Sequence, residues 1–188
     1  MNLTEAQNVV KQRLTNSRYE HTLRVAKTAE QLARKYNESV ERTKLAALLH
    51  DYAKCDPEEE LKRQIIQYNL PRELLNYNKE LWHGPVGAKV AKEKFGILDE
   101  DVLHAIYYHT TARAKMTKLE MIIFVADYIE PGRKFPGVEE VRNLVKVDLE
   151  KAALKVLGNT IMHLVRKGIT IFPDTFYAYN QLTKKWEG

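Results

Sequence analysis

Apolar residues recur at three- and four-residue intervals along almost the whole chain, and alternation of the strand kind is nowhere sustained. Val25, Ala29 and Leu32 make one such stripe, Leu45, Leu48 and Leu49 a second, and Val102, Ala105 and Ile106 a third. The punctuation agrees with this period. Thr4 with Gln7, Ser17 with Glu20, and Thr117 with Glu120 match the capping box, in which a hydroxyl accepts from an orphan amide and the residue three positions on reaches back. Asp56 before Pro57 is another start signal, because proline at the first helical position forfeits no hydrogen bond. Gly96 and Gly168 follow periodic runs and read as helix stops. The pattern predicts helices over about 4–14, 17–36, 39–53, 57–68, 83–95, 99–109, 118–130, 138–146 and 149–167, an all-α fold. The stretch 131–137 is the extended loop signal. From Thr170 to Trp186 the period breaks, so this aromatic tail is expected to be irregular and to dock back onto the body.

Length sharpens the picture to one domain, since 188 residues suffice for one well-buried core. The expected division within it is a ligand-bearing part at about 17–133 and C-terminal helices with a substrate-side tail at about 138–188. Charge adds little: the net +5 comes from 30 basic and 25 acidic residues that are interleaved rather than gathered, which argues against a nucleic-acid stripe. Cys55 is the lone cysteine, which excludes an intrachain disulfide and fits a reducing cytoplasm; a small buried hydrophobe is its expected role. No stretch approaches the roughly 20 apolar residues of a membrane helix, and the first residues lack the pattern of an export signal.

Six polar residues interrupt this regular picture: His21, His50, Asp51, His83, His109 and Asp127. His21 shares the stripe of Val25 and Ala29, His109 that of Ala105 and Ile106, and Asp127 lies with Ile123 and Phe124. One inward histidine is ordinarily a satisfied core residue. Several from separate helices, all able to ligate, are harder to ascribe to packing. His21, His50, Asp51 and Asp127 offer two nitrogens and two carboxylates, a set suited to iron, manganese, cobalt or zinc. His83 and His109, facing the same cavity, would hold a second ion with Asp51 as the bridge. Paired ions about 3.5–4 Å apart serve the hydrolysis of phosphate esters and anhydrides. With a single ion, either middle histidine could instead protonate the leaving oxygen.

In order, these residues resemble the H…HD…H…H…D signature of the HD-domain phosphohydrolase superfamily, whose simplest members lack the two middle histidines and bind one metal. The runs Arg18-Tyr19-Glu20-His21-Thr22, His50-Asp51-Tyr52-Ala53-Lys54, His83-Gly84-Pro85, Tyr108-His109-Thr110-Thr111 and Ala126-Asp127-Tyr128-Ile129-Glu130-Pro131-Gly132-Arg133 are similar to the bacterial YqeK family. The tail from Phe172 to Asn180 shares the likeness, which therefore spans nearly the whole chain. The resemblance implies an all-α HD fold, one or two divalent ions with iron favoured, and symmetrical cleavage of diadenosine tetraphosphate to two ADP. A rival reading is an HD phosphohydrolase acting on nucleoside monophosphates or cyclic dinucleotides; a weaker one is an RNA- or ribosome-associated module with a structural metal. A homodimer stays open.

Candidate substrate contacts follow. Lys54, one turn after Asp51, and Arg133, in the loop after Asp127, are cations within reach of a phosphate, each with a solvated surface role as the alternative. Thr110 and Thr111 either donate hydroxyls or cap a helix end; Arg18, one turn before His21, either touches phosphate or faces solvent. Asp51, Lys54, His83 and His109 are the catalytic candidates. Arg18, Lys54, His83, His109, Thr110, Asp127 and Arg133, with Phe172, Pro173, Thr175 and Asn180 of the tail, are the substrate-binding ones. His104 and His163 are expected to stay outside the site.

Overall fold

The computed structural model describes residues 1–186 and builds them from helices alone. Helix α2 (Asn16–Lys35) shows how the apolar pattern becomes packing: it buries Val25, Ala29 and Leu32, and His21 comes in with them on the same stripe. Its neighbours are α1 (Leu3–Arg13), α3 (Val40–Leu49) and α7 (Lys118–Ile129). Helix α7 buries residues on nearly every side, from Leu119 through Ile123 and Ala126 to Ile129, and so lies in the middle of the molecule. Around it stand α6 (Glu100–Tyr108), α8 (Val138–Leu144) and α9 (Leu149–Arg166), with α5 (His83–Phe95) against α6. A second, smaller apolar cluster joins α4 (Glu58–Gln67), two short 3-10 turns at Arg72–Asn76 and Lys79–Leu81, and the outer face of α5 through Leu61, Ile65, Leu74, Trp82 and Val86.

The helix ends refine the expected boundaries. Thr117 and Glu120 form their capping box as expected, but at the first helix the box is Asn2 with Glu5, and α2 is capped by Thr15 rather than Ser17. Each earlier cap is itself a good acceptor, so it starts the helix before the downstream hydroxyl is reached. Helix α4 begins without a side-chain cap, because Asp56 pairs with Arg13 instead. Helix α3 ends at Leu49, short of the expected 53, and His50 and Asp51 lie in the turns that follow. Those turns also carry Cys55 outward, so it is exposed and not the buried hydrophobe expected. Gly96, at φ +66°, stops α5 in the left-handed conformation that glycine adopts without strain.

The tail corrects the sequence reading most. It docks, but it is a helix, α10 (Pro173–Lys184), packed on α9. Pro173 opens it at a position that needs no amide, and Thr175, Ala178 and Leu182 recur at helical spacing on the buried face. Its exposed Phe176 and Tyr177 had obscured that period.

Candidate metal centre

The six ligand-type residues come from five places in the chain and meet in one spot. Asp51 stands at the centre, 3% exposed, with its two carboxylate oxygens turned to different partners. Oδ2 faces His21 Nε2 at 3.7 Å, His50 Nε2 at 3.5 Å and the Arg18 guanidinium at 2.9 Å. Oδ1 faces His83 Nε2 at 3.1 Å and His109 Nε2 at 3.7 Å. Asp127, from the last turn of α7, approaches His21 Nε2 at 3.0 Å. The donor atoms of His21, His50 and Asp127 lie within 4.8 Å of one another, as do those of His50, Asp51 and His109.

The imidazoles are fixed from behind. His50 Nδ1 donates to the Ala47 carbonyl at 2.6 Å and His109 Nδ1 to the Ile106 carbonyl at 2.8 Å, which leaves the lone pair of each ring on an inward-pointing Nε2. His83 and His109 then stand Nε2 to Nε2 at 2.9 Å. Gly84 permits this closeness: a Cβ there would lie 2.6 Å from the Tyr107 carbonyl and 3.5 Å from the His109 ring, so α5 and α6 touch backbone to backbone.

These residues fit a divalent cation. The Nε2 atoms of His21 and His50 are buried and make no hydrogen bond, an arrangement that costs free energy unless a positive centre engages the lone pairs. The 3.0 Å between His21 Nε2 and Asp127 Oδ1 is also about the spacing of two donors sharing an ion at about 2.1 Å and a right angle. Electrostatics agree. Burial, reinforced by the neighbouring histidines, pushes His50 down to about 4; burial and His109 push His83 down to about 4 as well, so both are neutral ligands at pH 7. Burial works to raise the Asp51 carboxyl, but His50, His109 and His83 outweigh it and hold it well below the usual range. Asp127 is likewise held low against burial, by His21 and Arg133.

Two residues of this centre went unassigned in the sequence. Glu130, 2% exposed, takes His21 Nδ1 at 3.1 Å, Arg24 Nε at 2.6 Å and the Gly132 amide at 2.6 Å. It thereby orients His21 as an outer carboxylate orients a ligating histidine. The available signal was an acid at the C-terminal end of a helix, where the dipole disfavours it, within the run Glu130-Pro131-Gly132-Arg133. Arg24 lies one turn after His21 on the same helix.

A cleft of about 300 Å³ opens over the centre, lined among others by Lys54, Glu80, His109, Thr110, Asp127 and Arg133. Arg133 holds Asp127 Oδ1 at 2.6 Å and is a third exposed. Lys54 reaches the cleft but is paired with Glu80 at 2.6 Å. Thr110 Oγ1 is buried without a partner, whereas Thr111 is spent on the Ala112 carbonyl. The tail candidates are not brought to this lining: Phe172 and Thr175 are buried, Pro173 is half-buried beside them, and Asn180 is exposed on α10. His163 is exposed and His104 half-buried on the outer side of α6, both apart from the ligands.

The HD-domain model matches residues 18–132, a span that contains all six of these ligand-type residues. The chain belongs to the HD-domain family. As an HD-domain chain it has a divalent-metal site, and the converging His and Asp donors are the residues able to form it. A relative from Bacillus subtilis named a symmetrical bis(5'-nucleosyl)-tetraphosphatase is 49% identical, over 97% of this chain and 98% of its own length. One of the same name from Staphylococcus aureus is 42% identical over 96% and 94%. The crystal structure of an HD superfamily hydrolase from Clostridium acetobutylicum, described as involved in NAD metabolism, superposes with a TM-score of 0.93 at 41% identity, covering 98% of each chain. Among the described residues no helix is long and apolar enough to cross a membrane.

Proposed function

We propose that this HD-domain chain hydrolyses diadenosine tetraphosphate symmetrically into two ADP. The observation that carries the reading is end-to-end likeness, at 42–49% identity, to HD-domain relatives that bear that activity in their names. Support comes from five donors in two clusters, with His83 beside Asp51, beneath a cleft edged with cations. Bound by these residues, divalent ions supply a water of lowered pKa and a polarised phosphoryl oxygen. His21, His50, Asp51 and Asp127 would hold one ion, and Asp51, His83 and His109 the second. Iron is our candidate for both, with manganese, cobalt or zinc as substitutes, since mixed imidazole and carboxylate donors suit all four.

The chain's own groups do the rest. Asp51 divides its two oxygens between the two halves of the centre and keeps them in register. Arg18 and Arg133, each anchored on a ligand carboxylate and each about a third exposed, present further N–H donors to phosphate oxygens that gain charge at the transition state. Thr110 offers its unpartnered hydroxyl. Lys54 joins once phosphate replaces Glu80 as its partner. His83, pushed down to about 4, carries too little imidazolium at neutral pH to serve as the proton donor, which favours it as a ligand. The substrate is a small cytoplasmic nucleotide; Phe172, Pro173, Thr175 and Asn180 are linked to its nucleoside end by resemblance alone, since Phe172 and Thr175 are buried and none of the four lines the cleft.

The test is product analysis with anaerobically purified, iron-loaded protein. Two ADP per diadenosine tetraphosphate is the expected result. Release of AMP with ATP, or an intact substrate alongside cleavage of monophosphates, cyclic dinucleotides or NAD, would overturn it. Loss of activity in Asp51→Ala with the fold retained separates hydrolysis from the RNA-module reading.

A further inference from the structure

The cleft over the metal centre does not end at Arg133. Three of its walls, Tyr128, Phe135 and Thr160, are also walls of an adjoining cavity of about 420 Å³, completed by Asn159, His163 and Arg166 on α9 and by Pro136. Residues Val156 to Arg166 of α9 form the floor of the combined trough, a run of about 15 Å at the helical rise per residue. Asp127 lines the first cavity, and the three shared residues set the second chamber directly beside it, outside the ligand set.

The second chamber is built for a planar, polar-edged group. Phe135 is 37% exposed yet held in place, its ring set edge-on to Tyr128 at 4.8 Å between centroids. Tyr128 is fixed in turn, because its hydroxyl accepts from Asn159 Nδ2 at 3.1 Å. Gly137, at φ +91°, lets the loop settle on α9, since a Cβ there would lie 2.9 Å from Asn159 Nδ2. An exposed, immobilised aromatic ring beside an amide, a hydroxyl, an imidazole and a guanidinium is the chemistry that receives a nucleobase and its ribose. Met162 and Pro136 add apolar wall to the same chamber, so it joins an apolar face to polar edges as a nucleoside does.

We infer that this chamber seats one of the two nucleosides of the substrate, with the base stacked on Phe135, the ribose near Thr160 and Asn159, and Arg166 at the rim. The inference rests on the proposed dinucleoside tetraphosphate activity and deepens it. A substrate cut at its centre must extend two phosphates and a nucleoside to each side of the reacting phosphorus. Arg133 stands where the cleft opens toward Phe135, in position to hold the phosphates between the metal centre and that nucleoside. The chamber thus distinguishes a dinucleoside polyphosphate from a mononucleotide, which can fill only one arm.

The experiment compares metal-loaded wild type with Phe135→Ala and with Thr160→Trp, whose indole fills the chamber, reading kcat and KM for diadenosine tetraphosphate and the stoichiometry of ADP binding by calorimetry. Metal content and thermal midpoint serve as fold controls. Wild type should bind two ADP per chain and Thr160→Trp one. Phe135→Ala should raise KM about tenfold, the equivalent of about 1.4 kcal/mol, with a smaller change in kcat. One ADP per wild-type chain, or a KM unmoved in both folded variants, overturns the inference while the activity stands. A wild type inert toward diadenosine tetraphosphate removes the parent reading and this one with it.

Discussion

The two halves of the metal centre share Asp51 and its neighbour His50 and differ in what stands behind them. The half formed by His21, His50 and Asp127 is backed by charge: Glu130 behind His21, Arg24 behind Glu130, and Arg133 on Asp127. The half formed by His83 and His109 has the Ile106 carbonyl behind His109, with Asp51 facing both imidazoles and the Lys54–Glu80 ion pair beside His83. A cation in the first half meets two carboxylate ligands and a third carboxylate one bond further out. A cation in the second meets imidazoles and one shared carboxylate. The difference teaches that the two halves are held in different ways, the first by a chain of carboxylates and guanidinium groups and the second chiefly by imidazoles around one carboxylate oxygen.

Removing what the halves share should have the largest effect. Asp51→Asn keeps the shape and deletes the bridge charge, so both metal stoichiometry, by elemental analysis, and hydrolysis should fall by more than the about 100-fold that loss of an outer partner can cost. Next, His83→Ala should lower the metal count from two to one and cut kcat sharply while the first ion stays; a count of two kept in the variant would show that His83 is not a ligand, and a wild-type count of one that the second half holds no ion. Glu130→Gln should weaken the first half about 10- to 100-fold in metal affinity, with activity restored by excess metal. Restoration is the reading that separates an orienting role from a structural one.

A smaller effect concerns protons. His50 and His83 have values near 4 in the folded protein against 6.5 when exposed, so the unfolded chain binds more protons between those limits. Stability of chelator-treated protein should be highest above about pH 6.5 and fall as pH drops toward 4, by on the order of a few kcal/mol from these two histidines, with Asp51 and Asp127 continuing the fall at lower pH. Thermal midpoints across that range check it. If the decline is halved in His83→Gln, the two halves contribute comparably to it.

The asymmetry was only half legible in the chain. His21, His50, Asp51, His83, His109 and Asp127 stood out because a polar group on an apolar stripe is visible in one dimension. Glu130 did not, because its partner His21 is 109 residues away and its one local mark, an acid at a helix C-terminus, is a weak one beside a loop. Helix α10 was hidden for a related reason. Its buried face of Thr175, Ala178 and Leu182 is small and partly polar, while the aromatic residues that draw the eye point outward. The capping residues show the same limit, since Thr15 and Ser17 are both good caps and only packing of the helix face decides between them.

Position 84 carries a lesson for comparing genomes. The gap between the two middle histidines is set by a hydrogen atom where any other residue would place carbon, and the nearest carbonyl leaves no slack for it. A descendant sequence that acquires a side chain at this position would keep all six letters of the motif and still lose the spacing of its second half. Counting histidines would score such a protein as active, whereas one glycine, three letters of DNA, would be the earlier and more reliable mark of its retirement.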